Sequence, residues 1–418
     1  MTLPVRPWTI GAFGLEVSHS GGAERVTDLV LPGLRLNPRR AHLLISTVLG
    51  KHIAAEPGEV IAAGHRLGAA VAEYDLGPVD VIGMAETATG LGHCVADALD
   101  AAVYLHSTRR AAPPEDIYAE FQENHSHATD HTIQPTDAGL FGQARPLVIV
   151  DDEISTGKTA LAMIEALQQL QRRPCYVVAS LIDVRDKEQR AAVISTALDL
   201  DTSVHFVSLA RGAVHQSQGF IDSVCALDPP RLNTAALDTA GTSVEVALGW
   251  PSHVPEGGRH GFLQENRPQF DLAVQGAAGK VAELLDPGRP VLVVGHEELM
   301  YLPARVAELL VRSGFQTRFQ STTRSPAHVL DMDGYPLRTG WRFPACEPEE
   351  TGSRFLYNGW PAPRSGGPTQ LVLIIDSFAA SGDLEVVEVL SAAGYDVLVA
   401  RVEGPTRAEL ARLRGQGS

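Results

Sequence analysis

Short apolar runs alternate with longer segments of helical periodicity along this chain of 418 residues. A continuous apolar run between polar segments predicts a buried strand, and apolar residues three or four positions apart predict a helix. The predicted strands are Val79–Ile82, Ala102–Leu105, Leu147–Val150, Tyr176–Ile182, Val291–Val294, Gln316–Gln320, Leu371–Ile375 and Asp396–Ala400. The predicted helices are Asn37–Gly50, Leu91–Leu99, Lys158–Arg172, Phe270–Leu285, Pro303–Ser313 and Asp383–Ala393. Such alternation is typical of parallel α/β architecture.

The chain is too long for one ordinary hydrophobic core, so its length predicts at least two domains. Periodicity weakens and Pro and Gly accumulate between the two strand-rich halves. We therefore predict a first domain over residues 1–235, a linker region over 236–268 and a second α/β domain over 269–418.

The two halves carry similar landmarks in the same order, which predicts a duplicated α/β unit whose second copy has diverged. The alternative is that strand–turn–helix units recur by chance, as they do in any α/β protein. The matched pairs are Gly83–Glu86 with Gly295–Glu298, Ser107–Arg109 with Thr322–Arg324, and Leu147–Gly157 with Val372–Gly382, which aligns Asp151 with Asp376.

The composition of the chain excludes several classes of function. Acidic residues outnumber basic ones and the formal charge is −16, without a long basic run, so we expect no nucleic-acid partner. The four cysteines are scattered without a CxxC pair, which disfavours a zinc knuckle or a disulfide scaffold and favours a reducing cytoplasm. The start lacks a signal-peptide pattern, and no apolar run is long enough for a membrane span, so we expect a soluble protein without a membrane partner.

Candidate chemistry concentrates in Leu147–Thr159, where an apolar run leads into Asp151 and Asp152 and then into a turn of small residues that opens a helix. Backbone N–H groups at a helix start, together with the helix dipole, form an anion site. Carboxylates beside a phosphate cradle suit the hydroxyls of a ribose 5-phosphate. A Walker A motif is excluded because Asp152 stands where that motif requires glycine.

This segment resembles the 5-phosphoribosyl-1-pyrophosphate (PRPP) motif of type I phosphoribosyltransferases. The resemblance implies a Rossmann-like parallel sheet and a reaction between PRPP and a small nitrogenous acceptor. It also implies a Mg²⁺ cofactor, held indirectly at Asp151 and Asp152 through PRPP. The two aspartates would bind the ribose hydroxyls. The 5-phosphate would be bound by Ser155, Thr156, Gly157, Lys158 and Thr159. Glu153 departs from the family pattern, which usually has an apolar residue or serine there.

An earlier strand is followed by a loop of small residues, where the family places its pyrophosphate loop, and a later strand ends on two arginines. Guanidinium groups suit phosphate oxygens. The alternatives are a tight strand–helix turn for the loop and a solvated charge pair for the arginines. The resemblance assigns pyrophosphate binding to Glu86, Thr87, Ala88, Thr89, Gly90, Arg109 and Arg110.

The polar stretch 111–144 lies where the family has a mobile loop that closes over the reaction. It contains Glu123, His125 and His127, which we predict as catalytic residues that assist the leaving group. Two alternatives stay open, a transition-metal site in this histidine-rich stretch and an ordinary solvated loop. Lys51 and His52 are predicted to belong to a hood above the acceptor pocket, with a helix C-terminal charge as the alternative.

In the second half, Thr323–Pro326 spells TRSP. With Gly295–Tyr301 and Phe355–Asn358, it resembles the TRSP domain that follows a phosphoribosyltransferase domain in bacterial proteins of tellurium-resistance and stress-response gene clusters. Asp376 persists here but Ser377 replaces the second carboxylate, so we predict that this half does not turn over PRPP. Thr323, Arg324 and Ser325 form a candidate ligand site, which could instead complete the first site, while a structural lid is the third alternative.

The sequence therefore predicts a PRPP-dependent phosphoribosyltransferase that acts on an unidentified base or nucleotide-like metabolite. The alternative function is a non-catalytic regulator that binds PRPP or a nucleotide, since this fold also serves non-enzymatic roles. For the quaternary structure, the sequence leaves a homodimer possible.

Overall fold

The computed structural model describes residues 7–122, 130–234, 240–348, 350–361, 369–380, 382 and 384–415. The strands in chain order are β1 (Glu16–Gly22), β2 (Val30–Leu34), β3 (His42–Ser46), β4 (Asp80–Gly83), β5 (Val103–His106), β6 (Ala119–Gln122), β7 (Asp130–Ile133), β8 (Leu147–Ile154), β9 (Cys175–Asp183), β10 (Ser203–His215), β11 (Ser243–Ala247), β12 (Phe262–Leu263), β13 (Val291–Gly295), β14 (Thr317–Ser321), β15 (Gly340–Pro344), β16 (Ser353–Tyr357), β17 (Thr369–Ile375) and β18 (Tyr395–Arg401). The helices are α1 (Trp8–Phe13), α2 (Val26–Leu29), α3 (Pro57–Ala72), α4 (Ala88–Ala98), α5 (Lys158–Leu170), α6 (Lys187–Asp199), α7 (Phe220–Cys225), α8 (Arg267–Glu283), α9 (Tyr301–Arg312), α10 (Glu385–Ala392) and α11 (Arg407–Gly415).

The first sheet has the strand order β1-β10-β9-β8-β4-β5-β12 among the described residues. Its five central strands, β10 to β5 in that order, are parallel, and the two edge strands run antiparallel to their neighbours. All nine residues of β9 are buried, as expected for a central strand covered by helices on both faces. The predicted Rossmann-like parallel sheet is confirmed.

The second sheet is parallel throughout, with the order β11-β18-β17-β13-β14 among the described residues. Four of its strands repeat the order of the first sheet, because β18-β17-β13-β14 corresponds in chain order to β9-β8-β4-β5. Each unit also inserts an antiparallel hairpin between its second and third matched parallel strands, β6–β7 between β5 and β8 in the first and β15–β16 between β14 and β17 in the second. A common topology supports the predicted duplication.

The segment expected to link the domains contributes a strand to each sheet. Within 236–268, β11 pairs with β18 of the second sheet and β12 pairs with β5 of the first. One continuous hydrophobic core also crosses between the units, where α4 and α9 pack together. His93 of α4 stacks on Tyr301 of α9 with ring centroids 3.8 Å apart. The two units therefore share a packed, apolar interface.

The predicted helix over Asn37–Gly50 is wrong. This segment contains β3, which forms a two-stranded antiparallel sheet with β2. Its apolar residues Leu43, Leu44 and Ile45 form a short continuous run, which periodicity cannot distinguish from a helical stretch. The hydrogen-bonded pairing with β2 makes this segment a strand. The other predicted helices and strands are present with small shifts of their ends. Among the described residues, we find no helix with the length and apolar character needed to cross a membrane.

Candidate active site

A cavity of about 270 Å³ opens at the carboxyl ends of β8, β4 and β5. Ligands bind at this edge in open parallel sheets because the loops that follow the strands converge there. Residues from several separate segments of the chain line it, including the β2–β3 hairpin and the second domain. The lining residues used below are Arg35, Arg40, Lys51, Ala85, Glu86, Thr87, Arg109, His131, Asp151, Asp152, Glu153, Ser155, Thr156, Gly157, Thr159, Arg324 and Ser325.

The paired aspartates Asp151 and Asp152 lie on the last part of β8, which extends to Ile154, beyond the predicted apolar run. Both line the cavity and are partly exposed. The Asp152 backbone N–H donates to Asp151 Oδ1 at 2.9 Å, which orients the first carboxylate. Two carboxylates thus reach the ligand edge of the sheet side by side, as the sequence predicts.

The turn after β8 opens helix α5 directly onto the cavity. Gly157 has a φ of 80° and precedes the first residue of the helix, so the turn requires the left-handed conformation that glycine adopts without strain. Ser155, Thr156, Gly157 and Thr159 all line the cavity, where the start of the helix presents backbone N–H groups that have no acceptor within the helix. The Lys158 side chain is exposed and does not line the cavity, so only four of the five predicted phosphate residues do.

The loop between β4 and α4 forms the opposite wall. A Cβ at Gly83 would lie 2.4 Å from the Ala88 carbonyl oxygen, so the tight packing of strand against helix requires glycine there. Glu86 and Thr87 line the cavity although both are buried, and the Lys51 ammonium donates to the Thr87 hydroxyl. Glu86 Oε2 accepts a hydrogen bond from the Arg324 backbone, whereas its Oε1 has no partner in the described structure.

The remaining predicted residues of this loop lie away from the cavity, and two of them contact the second domain. Ala88, Thr89 and Gly90 are buried outside the cavity lining. The Thr89 hydroxyl donates to the Glu298 carbonyl at 2.8 Å. A Cβ at Gly90 would lie 2.9 Å from the Cβ of Met300. Thr89 and Gly90 therefore serve the close packing of α4 against the segment that precedes α9.

The two predicted arginines after β5 point to different places. Arg109 lines the cavity, where its guanidinium lies 3.2 Å from His131 Nε2. His131 is buried on β7, and its Nδ1 lies 3.1 Å from the Ser107 hydroxyl. Arg110 instead enters the second domain, where it pairs with Glu347 at 2.6 Å and with Asp376 at 3.1 Å. Only Arg109 of this pair is placed to contact a ligand in the cavity.

The β2–β3 hairpin forms the outer wall and explains the unusual acid in the motif. Glu153 pairs with Arg40, and Arg35 lies nearby. Although burial favours the protonated acid, the charges of Arg40 and Arg35 hold the pKa of Glu153 below its ordinary value. Burial and the Arg40 charge lower the pKa of His42 on the same hairpin to about 4. Glu153 is thus a fixed, ionised partner of the hairpin.

The predicted catalytic residues Glu123, His125 and His127 lie outside the described residues. The strands on either side, β6 and β7, are described, and His131 of β7 places one end of the hairpin in the cavity wall. Lys51 and His52 lie beside the cavity as predicted, but they follow β3 rather than a helix.

Sequence reasoning missed His131, Arg35 and Arg40 as cavity residues. His131 belongs to the histidine-rich stretch on which the catalytic prediction rests, so a signal existed for it. Arg35 and Arg40 lie in the connection between β2 and β3. Nothing in their spacing points to the site.

Of the three residues predicted as a second-domain ligand site, two line the cavity and one is buried inside the protein. Arg324 and Ser325 line the cavity of the first domain, whereas Thr323 is buried and bridges to Phe355 of β16. Asp376, the counterpart of Asp151, is 3% exposed and paired with Arg110 and Arg259. Both guanidinium groups also lie over the ring of Phe378. The second domain therefore contributes to the first site, and its own equivalent position is filled by side chains.

A cluster of His296, Glu297 and Glu347 in the second domain has metal-ligating side chains, whose ligand atoms all lie within 4.8 Å of one another. Both carboxylates are already ion-paired, Glu347 with Arg110 and Glu297 with Arg324. A cation there would have to displace Arg324 and the interdomain partner Arg110, so we interpret the cluster as a network of ion pairs.

Two sequence families match the chain in consecutive segments. Residues 29–213 match the family described as phosphoribosyl transferase. Residues 256–391 match the TRSP domain, described as lying C-terminal to that phosphoribosyl transferase domain. The first match contains β8, the loop after β4 and the β6–β7 hairpin, and the second contains Arg324 and Asp376. No curated protein shows significant similarity to the chain.

Solved adenine phosphoribosyltransferases resemble part of the chain. The Rhodothermus marinus enzyme is 21% identical, with 44% of this chain and 96% of that chain covered at a TM-score of 0.31. The Giardia lamblia enzyme, complexed with 9-deazaadenine, is 17% identical, with coverage of 45% and 99% and a TM-score of 0.33. The Trypanosoma brucei enzyme, in complex with AMP, pyrophosphate and ribose-5-phosphate, is 14% identical, with coverage of 49% and 82% and a TM-score of 0.33.

Proposed function

Because the chain joins a phosphoribosyl transferase domain to a TRSP domain, we propose that it transfers the phosphoribosyl group of PRPP to a small nitrogenous acceptor. The observation that carries this proposal is the convergence of three elements on one cavity. The paired aspartates with the N-terminus of α5, the loop after β4, and Arg109 all line it. Each suits a different part of PRPP.

The ribose 5-phosphate part fits the wall formed by β8 and α5. The carboxylates of Asp151 and Asp152 accept hydrogen bonds from the two ribose hydroxyls. The turn Ser155–Gly157 and Thr159 surround the 5-phosphate with hydroxyl and backbone N–H donors, and the helix dipole adds a partial positive charge there.

The pyrophosphate part fits the opposite wall, where Arg109 and Lys51 supply positive charge and Thr87 a hydroxyl. Oxygen ligands are those that Mg²⁺ prefers, and the unpartnered Oε1 of Glu86, with Asp151 and Asp152, provides them in the same cavity. Bound there, Mg²⁺ supplies charge neutralisation for pyrophosphate. The acidic residues present therefore fit the metal that PRPP chemistry uses.

In the reaction, a nitrogen lone pair of the acceptor forms a bond to the anomeric carbon. The bond from that carbon to the pyrophosphate oxygen breaks, and its electron pair leaves with pyrophosphate. The acceptor nitrogen loses its proton to a nearby base. Glu123, His125 and His127 are proposed to assist the departure of pyrophosphate, since His131 on the strand that follows them lines the cavity. The chain's own contribution is mainly positioning and charge stabilisation.

The acceptor belongs on the side of the β2–β3 hairpin, where the Arg40–Glu153 pair and Arg35 offer fixed polar partners. We propose a base or nucleotide-like metabolite as the acceptor. The resemblance to proteins of tellurium-resistance and stress-response gene clusters supports a role in a bacterial stress pathway.

Calorimetric titration with Mg-PRPP tests the site. The double variant D151N/D152N should lose PRPP binding, because amides cannot replace two anionic acceptors beside the ribose hydroxyls. The matched control is D331N/D333N, since Asp331 and Asp333 are exposed and pair only at the surface with Arg338. Unchanged affinity in D151N/D152N would refute the site.

Pyrophosphate release on addition of candidate bases then tests the activity. Release above the rate without a base supports the transferase. Tight Mg-PRPP binding without release for a broad panel of bases would instead favour the regulator that binds PRPP without turning it over.

A further inference from the structure

The two domains can be aligned residue by residue through matching backbone contacts. The Ala85 N–H donates to the Ser107 hydroxyl at 2.8 Å, and the Glu297 N–H donates to the Thr322 hydroxyl at 3.0 Å. Each unit then forms an isolated antiparallel bridge to its own hairpin, Thr108 with Thr132 in the first and Thr323 with Phe355 in the second. These contacts fix the register of the comparison. It pairs Ala85 with Glu297, Glu86 with Glu298, Arg109 with Arg324, Arg110 with Ser325 and His131 with Arg354.

The interface between the domains is reciprocal in this register. Glu298 of the second domain accepts from the Thr108 hydroxyl at 2.8 Å and from the Arg109 N–H at 3.1 Å. Its counterpart Glu86 of the first domain accepts from the Arg324 N–H at 3.1 Å. Equivalent residues contacting each other in both directions are the signature of a twofold, isologous interface. The chain therefore packs its two domains as two subunits of a symmetric dimer would pack.

The two equivalent sites differ in their side chains. In the first domain Ala85 has no polar side chain, and Arg109 and His131 face the cavity. In the second domain Glu297 replaces Ala85, is fully buried, and pairs with both Arg324 and Arg354. A carboxylate thus lies between the two cationic residues that correspond to Arg109 and His131. It takes the place of a bound anion.

The ribose part of the second site is filled in a similar way. Arg110 reaches from the first domain to Asp376, whereas its counterpart Ser325 lines the first cavity with a short side chain. One cross-domain position therefore fills the second site and leaves the first open.

We propose that the second domain is a built-in partner subunit with a closed site, and that its Glu298 is a positioning residue for the pyrophosphate wall of the open site. This proposal rests on the PRPP site proposed above. Glu298 binds the backbone of Arg109 and the neighbouring hydroxyl of Thr108, so it fixes the direction in which the Arg109 side chain leaves the chain. Arg259 lies 3.5 Å from Glu298 and secures the carboxylate from the other side.

The test compares Glu298→Gln with Glu347→Gln in the full chain. Both residues are buried carboxylates of the second domain that face Arg110, but Glu347 contacts only the closed site. Calorimetry with Mg²⁺-pyrophosphate and with ribose 5-phosphate reports separately on the two parts of the open site, and thermal unfolding reports on folding.

In Glu298→Gln we expect the affinity for Mg²⁺-pyrophosphate to fall about tenfold, while the affinity for ribose 5-phosphate stays within about twofold of the wild type. An amide has one acceptor oxygen where the carboxylate has two, so it cannot offer a separate oxygen to each of the Thr108 hydroxyl and the Arg109 N–H. In Glu347→Gln both affinities should stay within about twofold at a comparable loss of melting temperature. Thr108→Val removes the hydroxyl donor from the other side and should reproduce the selective loss if Glu298→Gln fails to fold.

Equal loss of both ligands in Glu298→Gln, or unchanged pyrophosphate affinity, would overturn the positioning role. Failure of the PRPP site itself gives a different result, because the wild type would then bind neither ligand. The two proposals are thus separable in one set of titrations.

Discussion

Removal of the Glu297 carboxylate should create an anion-binding site in the second domain. Glu297→Ala leaves the guanidinium groups of Arg324 and Arg354 facing a space of carboxylate size. Arg354 is 2% exposed, and burial lowers its pKa to about 10, which shows how strongly this position disfavours an unpaired charge. The corresponding place in the first domain is the one that we assign to pyrophosphate.

The loss of stability expected in Glu297→Ala follows from the burial of its ion pairs. Loss of one partner from a buried pair typically destabilises a protein by about 3–5 kcal/mol. Glu350 also pairs with Arg324 at 3.2 Å and with Arg354 at 3.1 Å, which partly compensates, so we expect the lower end of that range. A small anion at one hundred times its Kd would return about 2.7 kcal/mol.

The assay is urea unfolding of Glu297→Ala in increasing formate, acetate or pyrophosphate at constant ionic strength set with chloride. The unfolding midpoint should rise with the anion in this variant more steeply than in the wild type. Glu350→Gln is the matched control, because it removes a partner of the same two arginines that is 18% exposed and leaves Glu297 in place. Equal anion dependence in Glu297→Ala and Glu350→Gln would refute the view that Glu297 replaces a bound anion.

Acid should weaken the interface between the domains, because Arg259 and Arg110 hold the pKa of Glu298 at about 2 despite a burial that favours the protonated acid. A depressed pKa stabilises the fold above the ordinary value of 4.5, and this contribution, about 3 kcal/mol, is lost as the pH falls from there towards 2. Urea unfolding between pH 6 and pH 3 should show the loss, and Glu298→Gln should show a smaller one; an equal slope in both would contradict this origin. Gly157→Ala should destabilise the turn by about 1–2 kcal/mol, because its φ of 80° suits glycine. The control Gly58→Ala, where an added Cβ meets nothing within 4 Å, should be neutral or stabilising in the same denaturation assay.

The alternating α/β pattern could be predicted because the central strands are buried on both faces and therefore read as continuous apolar runs. Segments with mixed patterns were missed. Helix α3 contains several glycines, and a Cβ at Gly64 would lie 2.2 Å from the Cβ of Cys94, so close helix packing selects residues with poor helix propensity there. The apolar spacing over strand β3 predicts a helix, and only the pairing with β2 in the folded chain makes this segment a strand.

The candidate site was predictable where it is local in sequence. Asp151, Asp152 and the turn before α5 lie on one strand–turn–helix unit, and their positions follow from that unit. Arg110 could not be separated from Arg109 by sequence, because its direction depends on Asp376, more than two hundred positions along the chain. His131 and Arg324 likewise reach the cavity only through the hairpin and the second domain.

Two aligned positions explain why a duplicated fold carries one open site. At the first, Ala85 places no polar side chain beside Arg109 and His131, whereas its counterpart Glu297 places a carboxylate against Arg324 and Arg354. At the second, Ser325 extends a short side chain towards the open cavity, and Arg110 extends a long one into the closed site. An ion pair with Asp376 then replaces the hydroxyl partners that a ribose would offer. Because each filling side chain is also paired across or beside the interface, loss of ligand binding in the second domain and attachment of that domain to the first have the same physical origin. A domain that no longer binds its own ligand can therefore be retained as a fixed wall of its neighbour's site.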